Sequence, residues 1–356
     1  MSAKKIKVLI VDDSALIRQI LTAVFDSDPE MELVGTAEDP LVARKMIKKL
    51  NPDVITLDIE MPKMDGLSFL EKLMQLRPMP VVMISSLTQR GTAQTLRALE
   101  LGVCDIIGKP TVDLENNFDA MKSEILTKVK AAAGACVRPP EFLIRKAAGR
   151  PKPKPEANLI VIGASTGGVV ALKEIIPLLP LGVPPIVIVQ HMPMAYTAGL
   201  ADRLDLVSRV SVRESSHGAV LEKNTAYIAH GGHHLRIGRK GNKSMILLHG
   251  DEEPMSGHKP SVDALFMSVA ELGVTNVISI MLTGMGRDGA DGMLALRQAG
   301  AFTLGQSEGS CVVYGMPRVA QQIGAVEIEM PLSKMAGAIE SKCWPSGENR
   351  RFSSTS

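Results

Sequence analysis

Aromatic side chains are scarce in this chain: one Trp, three Tyr and seven Phe among 356 residues, 3% of the whole. A surface that grips single-stranded nucleic acid needs rings on which bases stack, so this scarcity argues against such a platform. Charge of one sign is also lacking. Lys and Arg number 40 against 38 Asp and Glu, a formal net charge of +2, too little to draw the chain to nucleic acid or an anionic membrane. The four cysteines, Cys104, Cys136, Cys311 and Cys343, stand far apart, with no CxxC pair and no zinc spacing. No apolar run is long enough to cross a bilayer. The opening MSAKKIKVLIVDD has an apolar run too short for a signal peptide, and the run ends in carboxylates. Cytoplasmic residence is therefore expected, with no nucleic-acid partner and no membrane insertion.

Aliphatic residues are plentiful. Hydrophobic residues make up 45% of the chain, and the length suffices for two ordinary domains. The first part alternates short apolar runs with amphipathic segments. In Asp39 to Leu50, residues Ala43, Met46, Ile47 and Leu50 share one helical face, with Asp39 as cap and Pro40 in the first turn. Phe118, Met121, Ile125 and Val129 repeat the pattern in the last helix of that part. Such alternation predicts a doubly wound parallel sheet. The periodicity fades after Lys130, and proline and basic residues from Ala131 to Ala157 predict an extended linker. The expected layout is a first domain over 1–130, a linker over 131–157, a second domain over 158–345 and a polar tail over 346–356. In the second domain the short, Gly-bounded middle pieces predict an antiparallel hairpin added to a mostly parallel sheet.

Polar residues collect where the apolar runs end. Lys7 to Val11 ends on Asp12-Asp13, Val54 to Leu57 on Asp58, Pro80 to Ile84 on Ser85-Ser86, and Cys104 to Ile107 leads to Gly108-Lys109-Pro110. Three carboxylates in one pocket repel unless a cation joins them, and an oxygen-only set suits Mg²⁺. A lysine beside them can pair with phosphate oxygens, and a small hydroxyl can donate to them. That is the logic of aspartyl phosphorylation. Taken alone, Asp12-Asp13 reads rather as a capped turn before the helix SALIRQILTAVF; it is Asp58 and Lys109 at matching strand ends that favour the phospho-acceptor reading.

In the second domain Leu159 to Gly168 reads LIVIGASTGG and fits G-x-S-x-G at Ser165, a spacing that can force a strand-to-helix elbow. His191 closes PIVIVQ, and Asp288 follows NVISIMLTGMG. Ligands of an open parallel sheet bind beyond the carboxyl ends of its strands, so all three would gather at one edge. A serine hydroxyl needs an adjacent base, histidine titrates in the right range to be one, and a carboxylate can orient the imidazole. The glycines of Thr283-Gly284-Met285-Gly286 leave backbone N–H groups for a developing oxyanion. Blander readings stand beside this one. Ser165 can cap the next helix, the glycine-rich turn can hold phosphate, His191 can be a surface residue, and Asp288 can cap the helix GADGMLALRQAG, with Asp291 a weaker carboxylate. His230, His233 and His234 suggest a metal, but no acidic or cysteine ligand stands beside them in sequence and the segment reads as a turn.

IGASTGG, VQHMP, YIAHGGHHL, HKPSVDALF and LTGMGRDGADG occur in an order that resembles the chemotaxis protein-glutamate methylesterases, the CheB family, over Asn158 to about Glu327. LDIEMPKMDG and the strand-end acids resemble a response-regulator receiver domain. The resemblance implies a flavodoxin-like receiver followed by an α/β catalytic domain. It implies Ser165 as nucleophile, His191 as base, Asp288 as its orienter, and Met285 and Thr166 as oxyanion support. In the receiver it implies Asp58 as phospho-acceptor, Asp12 and Asp13 with Asp58 as the Mg²⁺ pocket, and Ser85 and Lys109 as switch residues; the esterase site needs no cofactor. The implied reaction is hydrolysis of glutamate γ-methyl esters on chemoreceptors, with deamidation of certain receptor glutamines, and the implied phosphodonor is a chemotaxis histidine kinase. A receiver covering the catalytic edge until phosphorylated is the expected mode of control. One departure is His230, which stands where the family pattern has proline. A non-catalytic adaptor docking receptors through the same cleft is the alternative. A DNA-binding regulator is disfavoured by the absence of a helix-turn-helix pattern.

Overall fold

Strand-length apolar runs separated by capped amphipathic segments build two α/β units in the computed structural model. It describes residues 4–59, 61, 66–85, 89–109, 114–137, 154–241 and 244–345, and these divide into two compact units on either side of positions 141 and 142. Residues of the predicted linker from 138 to 153, the tail from 346 onward, and Ser86 and Pro110 lie outside the described residues.

The first unit runs β1 (Ile6–Val11), α1 (Ala15–Asp26), β2 (Met31–Ala37), α2 (Pro40–Leu50), β3 (Val54–Asp58), α3 (Gly66–Leu76), β4 (Val81–Ser85), α4 (Gln89–Glu100), β5 (Asp105–Gly108) and α5 (Leu114–Ala133). Its sheet has the order β2-β1-β3-β4-β5, parallel throughout. This is the flavodoxin-like order, with its switch point between β1 and β3. β3 and β4 are buried along their whole length, as strands covered on both faces must be. The predicted start of α2 is observed: the Asp39 carboxylate accepts from Leu41 N (2.9 Å) and Val42 N (2.8 Å), and Pro40 needs no donor at the first position. Ile125 and Val129 are fully buried on α5.

The second unit runs β6 (Leu159–Ala164), α6 (Gly168–Ile175), β7 (Ile186–Gln190), α7 (Met194–Val207), β8 (Ser211–Glu214), β9 (Thr225–Ile228), β10 (His234–Lys240), β11 (Ser244–Gly250), α8 (Val262–Glu271), β12 (Val277–Met281), α9 (Ala290–Gln298), β13 (Phe302–Gln306), α10 (Met316–Gln322), β14 (Ile328–Met330) and α11 (Leu332–Cys343). Seven strands form a sheet of order β14-β13-β12-β6-β7-β9-β8, parallel at every pairing. β10 and β11 form the expected antiparallel hairpin, from His234 opposite Gly250 to Lys240 opposite Ser244. The short pieces β8 and β9 belong to the parallel sheet. β14 has no counterpart in the sequence reading, because its residues are largely exposed and give no apolar run. The chain builds outward from β6 through β7, then returns to β12 on the other side. The switch point therefore falls between β6 and β12, where a crevice opens beyond the strand ends.

Candidate active site

Ser165 leaves β6 on that crevice. Its N–H donates to Thr283 O (3.0 Å), continuing the β6–β12 ladder, and its carbonyl accepts from Gly168 N (2.7 Å), closing a tight turn. Gly167 occupies the third position of the turn at φ +80°, a conformation that costs an L-residue and leaves glycine free. The helix cap of α6 is Gly167, with no side-chain hydrogen bond, so Ser165 is not a capping residue. Ser165 is 8% exposed, and its hydroxyl is not hydrogen-bonded to any described residue.

His191 follows β7. Its N–H donates to Ala164 O (3.0 Å), and the parallel register pairs Ala164 with Gln190. One step further, Ser165 and His191 face each other at the ends of adjacent strands, which lie about 4.8 Å apart. The buried Gln190 amide ties the two backbones, donating to Ser165 O (2.9 Å) and His191 O (3.1 Å). The His191 side chain is 6% exposed and its Nε2 meets Asp288 Oδ2 at 2.7 Å. An ionised carboxylate only accepts, so Nε2 carries the hydrogen and Nδ1 holds the lone pair. That Nδ1 is buried and has no hydrogen-bond partner. Of the two contacts the sequence predicts, imidazole to carboxylate is made and hydroxyl to imidazole is not. Long base–nucleophile contacts are common in resting enzymes.

Asp288 is not the cap of α9; Gly289 takes that position. The carboxylate instead reaches the start of α8. Oδ2 accepts from Val262 N (2.6 Å), and Oδ1 accepts from Ser261 Oγ (2.7 Å) and Asp263 N (3.2 Å). A helix N-terminus is where backbone donors and dipole both favour an anion. Burial pushes the Asp288 pKa up, but the hydrogen bonds from His191, Ser261 and Val262 outweigh it and bring it down to about 2. Asp291, the weaker candidate, pairs with Arg287 at 2.7 Å on the surface.

Two partners escaped the sequence reading. Ser261 both caps α8 and holds Asp288; a serine before an apolar helix signals the cap but not the second bond. His258 stacks on His191, ring centroids 3.8 Å apart and planes 10° from parallel. Nothing in the spacing of HKPS announces that contact.

Beyond β12, Gly284 comes so close to the nucleophile that a Cβ there would sit 2.7 Å from Ser165 Cβ and 2.3 Å from Met316 Sδ. Met285 follows, half-buried, and its N–H donates to no described residue. Thr166 is buried, and its carbonyl accepts from Thr283 Oγ1 (2.9 Å). The same hydroxyl accepts from Val312 N (3.1 Å) and Val313 N (3.0 Å), so Thr283 knits together the loops that floor the crevice.

In the first unit Asp12, Asp13 and Asp58 bring carboxylate oxygens within 4.8 Å of one another. Asp12 and Asp58 are buried and Asp13 is exposed. Lys109 Nζ lies 2.7 Å from Asp58 Oδ2 and 3.6 Å from Asp12 Oδ2. Asp12 Oδ1 accepts from Ser14 N (2.9 Å), whereas Oδ2 is buried without a hydrogen bond. Burial, reinforced by Asp58 and opposed by Lys109, pushes the Asp12 pKa up to about 6. Burial alone would lower the Lys109 pKa; Asp58 and Asp12 turn the net change upward. Ser85 is fully buried, and its hydroxyl accepts from Thr95 Oγ1 (2.9 Å). An orphaned buried carboxylate oxygen, two more carboxylates and a pKa raised by burial are the signature of a pocket that suits Mg²⁺.

Of the three histidines weighed for metal, His234 is fully buried and engaged at both nitrogens, to Glu253 O (3.0 Å) and Ser261 N (3.2 Å). It supports Ser261 and is unavailable to an ion.

Fold and site together define a two-domain α/β protein, a receiver-type unit joined to a hydrolase-type unit on a parallel sheet. Residues 160–339 match the family profile described as CheB methylesterase, and residues 8–120 match the response regulator receiver domain. The chain belongs to the CheB methylesterase family. It is 53% identical over 338 residues to protein-glutamate methylesterase/protein-glutamine glutaminase 1 of Caulobacter vibrioides, covering 94% of this chain and 97% of that protein. It is 50% identical over 342 residues to protein-glutamate methylesterase/protein-glutamine glutaminase 2 of Cupriavidus pinatubonensis, covering 94% and 95%. The crystal structure of the Thermotoga maritima CheB methylesterase catalytic domain superposes with a TM-score of 0.50 at 34% identity, over 52% of this chain and 97% of that one. No helix among the described residues is long and apolar enough to cross a membrane.

Proposed function

We propose that the second unit hydrolyses glutamate γ-methyl esters on chemoreceptors, and deamidates certain receptor glutamines, with Ser165, His191 and Asp288 as catalytic residues. The observation that carries this reading is the pairing of His191 Nε2 with the buried Asp288 carboxylate at 2.7 Å, which leaves Nδ1 unpartnered on the strand end adjacent to that of Ser165. His191 Nδ1 takes the Ser165 proton as Oγ attacks the ester carbonyl. The Met285 N–H, with Thr166 at the turn, faces the oxygen on which charge develops. The imidazolium returns its proton to the departing methoxide, giving methanol and an acyl-serine. Water, deprotonated by the same nitrogen, then releases glutamate and restores the hydroxyl. For a glutamine side chain the leaving group is ammonia.

The first unit accepts a phosphoryl group on Asp58 from a chemotaxis histidine kinase and thereby raises the esterase rate. Asp12, Asp13 and Asp58 would hold Mg²⁺, which offsets their mutual repulsion and that of an incoming phosphate. Lys109 stands ready to pair with phosphate oxygens, and the Ser85 hydroxyl to donate to them. The layout proposed is a receiver over 1–130, a linker over 131–157, a catalytic domain over 158–345 and a tail over 346–356, although α5 of the first unit continues past the first boundary to Ala133.

An active-site fluorophosphonate tests the reaction class. Covalent label on Ser165, lost in Ser165→Ala together with methanol release from methylated receptor, is the expected result. Folded protein that takes no label but still binds receptor would favour the adaptor reading.

A further inference from the structure

Four of the seven histidines gather in the second unit, none of them a member of the proposed triad. His217 lies between β8 and β9, His230 and His233 in the loop after β9, and His249 near the end of β11. The rings of His230, His233 and His249 form a near-regular triangle, with centroids 5.3, 5.9 and 5.8 Å apart. His217 adds a fourth ring 6.1 Å from His249. Three imidazoles on one tetrahedral ion, at metal–nitrogen distances of about 2.0–2.1 Å, place their centroids roughly 5 Å apart. Each ring of the triangle is also held by one nitrogen and open at the other. His230 Nδ1 donates to Gly231 O (2.7 Å), His233 Nδ1 pairs with Asp251 Oδ1 (2.5 Å), and His249 Nε2 meets Ser215 Oγ (2.9 Å). The remaining nitrogens, Nε2 of His230 and His233 and Nδ1 of His249, engage no described residue. A carbonyl, a carboxylate and a hydroxyl are the kinds of partner that back metal-bound imidazoles.

We propose that His230, His233 and His249 bind a transition-metal cation of the Zn²⁺ type. Neutral imidazole is the form a metal takes. The rings must turn inward to close on the ion, since among the described residues only the three receiver carboxylates already bring ligand atoms within 4.8 Å. The site would pin the β10–β11 hairpin to the loop at Gly231. That loop packs directly on Pro193 and Met194, the residues that follow His191: a Cβ on Gly231 would meet Met194 N at 2.4 Å. His230, where the family pattern has proline, supplies one corner of the triangle.

The test uses the full-length chain carrying Cys136→Ser, stripped with chelator and kept in millimolar Mg²⁺ to saturate the receiver acids. Calorimetric titration with Zn²⁺ should give one ion per chain, and Co²⁺ should give the visible absorption of a tetrahedral site. His233→Ala and His230→Pro should each weaken binding at least tenfold, while His191→Ala leaves it intact. Melting of each variant without metal checks its fold, and Zn²⁺ should raise the melting temperature of the Cys136→Ser chain and of His191→Ala more than that of His233→Ala or His230→Pro. Absence of stoichiometric binding, binding indifferent to His233→Ala and His230→Pro, or binding abolished by His191→Ala would each overturn the proposal.

Discussion

Both units set polar residues beyond the carboxyl ends of a parallel sheet, yet the two edges are finished differently. At the first, three carboxylates, Asp12, Asp13 and Asp58, crowd together beside Lys109, and one buried Asp12 oxygen has that ammonium at 3.6 Å but no hydrogen bond. At the second, one carboxylate meets one imidazole and the start of a helix. The first edge carries a repulsion that a bound cation would relieve; the second has its electrostatics settled in advance. A regulatory site gains from the former, because its stability then depends on its ligand. A catalytic site gains from the latter, because preorganised groups need no rearrangement as charge develops.

The largest effect that would sharpen this contrast lies at the second edge. Ser165→Ala should lower methanol release by about 10⁴-fold or more, with receptor binding retained, as loss of a triad nucleophile does elsewhere. Asp288→Asn should cost about 10³- to 10⁴-fold in kcat, because an amide can offer the imidazole the wrong hydrogen. Equal kcat in that variant would break the claim that Asp288 sets the tautomer. Asp58→Asn, by contrast, should abolish stimulation by a phosphodonor while leaving the unstimulated rate within about twofold.

At the first edge the expected effects are smaller and pH-dependent. The Asp12 pKa is raised, so the folded state holds its proton more tightly than the unfolded chain. Its contribution to stability therefore falls as pH rises from about 4 to about 6. Mg²⁺ affinity, measured by calorimetry, should drop toward roughly tenfold per pH unit below about 6, as protons compete for that oxygen. Asp12→Asn should abolish Mg²⁺ binding yet stabilise the metal-free first unit by about 1–3 kcal/mol at pH 7, a gain that disappears below about pH 4. A destabilised Asp12→Asn at neutral pH would show that the pocket does not carry the repulsion described.

Much of this was legible in the sequence, for identifiable reasons. Parallel strands covered on both faces read as continuous apolar runs, so the residues ending them, from Asp12 to Asp288, announce the edges. Asp39-Pro40 names its own helix start, because capping is local. What escaped was set by distant segments meeting. Ser261 and His258 are separated from Asp288 and His191 by long stretches of chain, and no periodicity encodes their contacts. β14 stayed hidden because an exposed edge strand needs no apolar pattern. The histidine triangle was invisible for the same reason: His249 and Asp251 reach the loop only because the hairpin folds back on it.

The surroundings of Asp288 carry a chemical consequence. Two oxygens offer four lone-pair sites, and four donors already occupy them: an imidazole, a hydroxyl and two peptide groups. Were the imidazole hydrogen to cross to that acid, the Ser261 hydroxyl and the two peptide groups would donate to a neutral carboxyl instead of an anion, so they hold the charged form in place. In the proposed mechanism the hydrogen therefore passes between serine, imidazole and leaving group, while the aspartate stays a fixed negative pole.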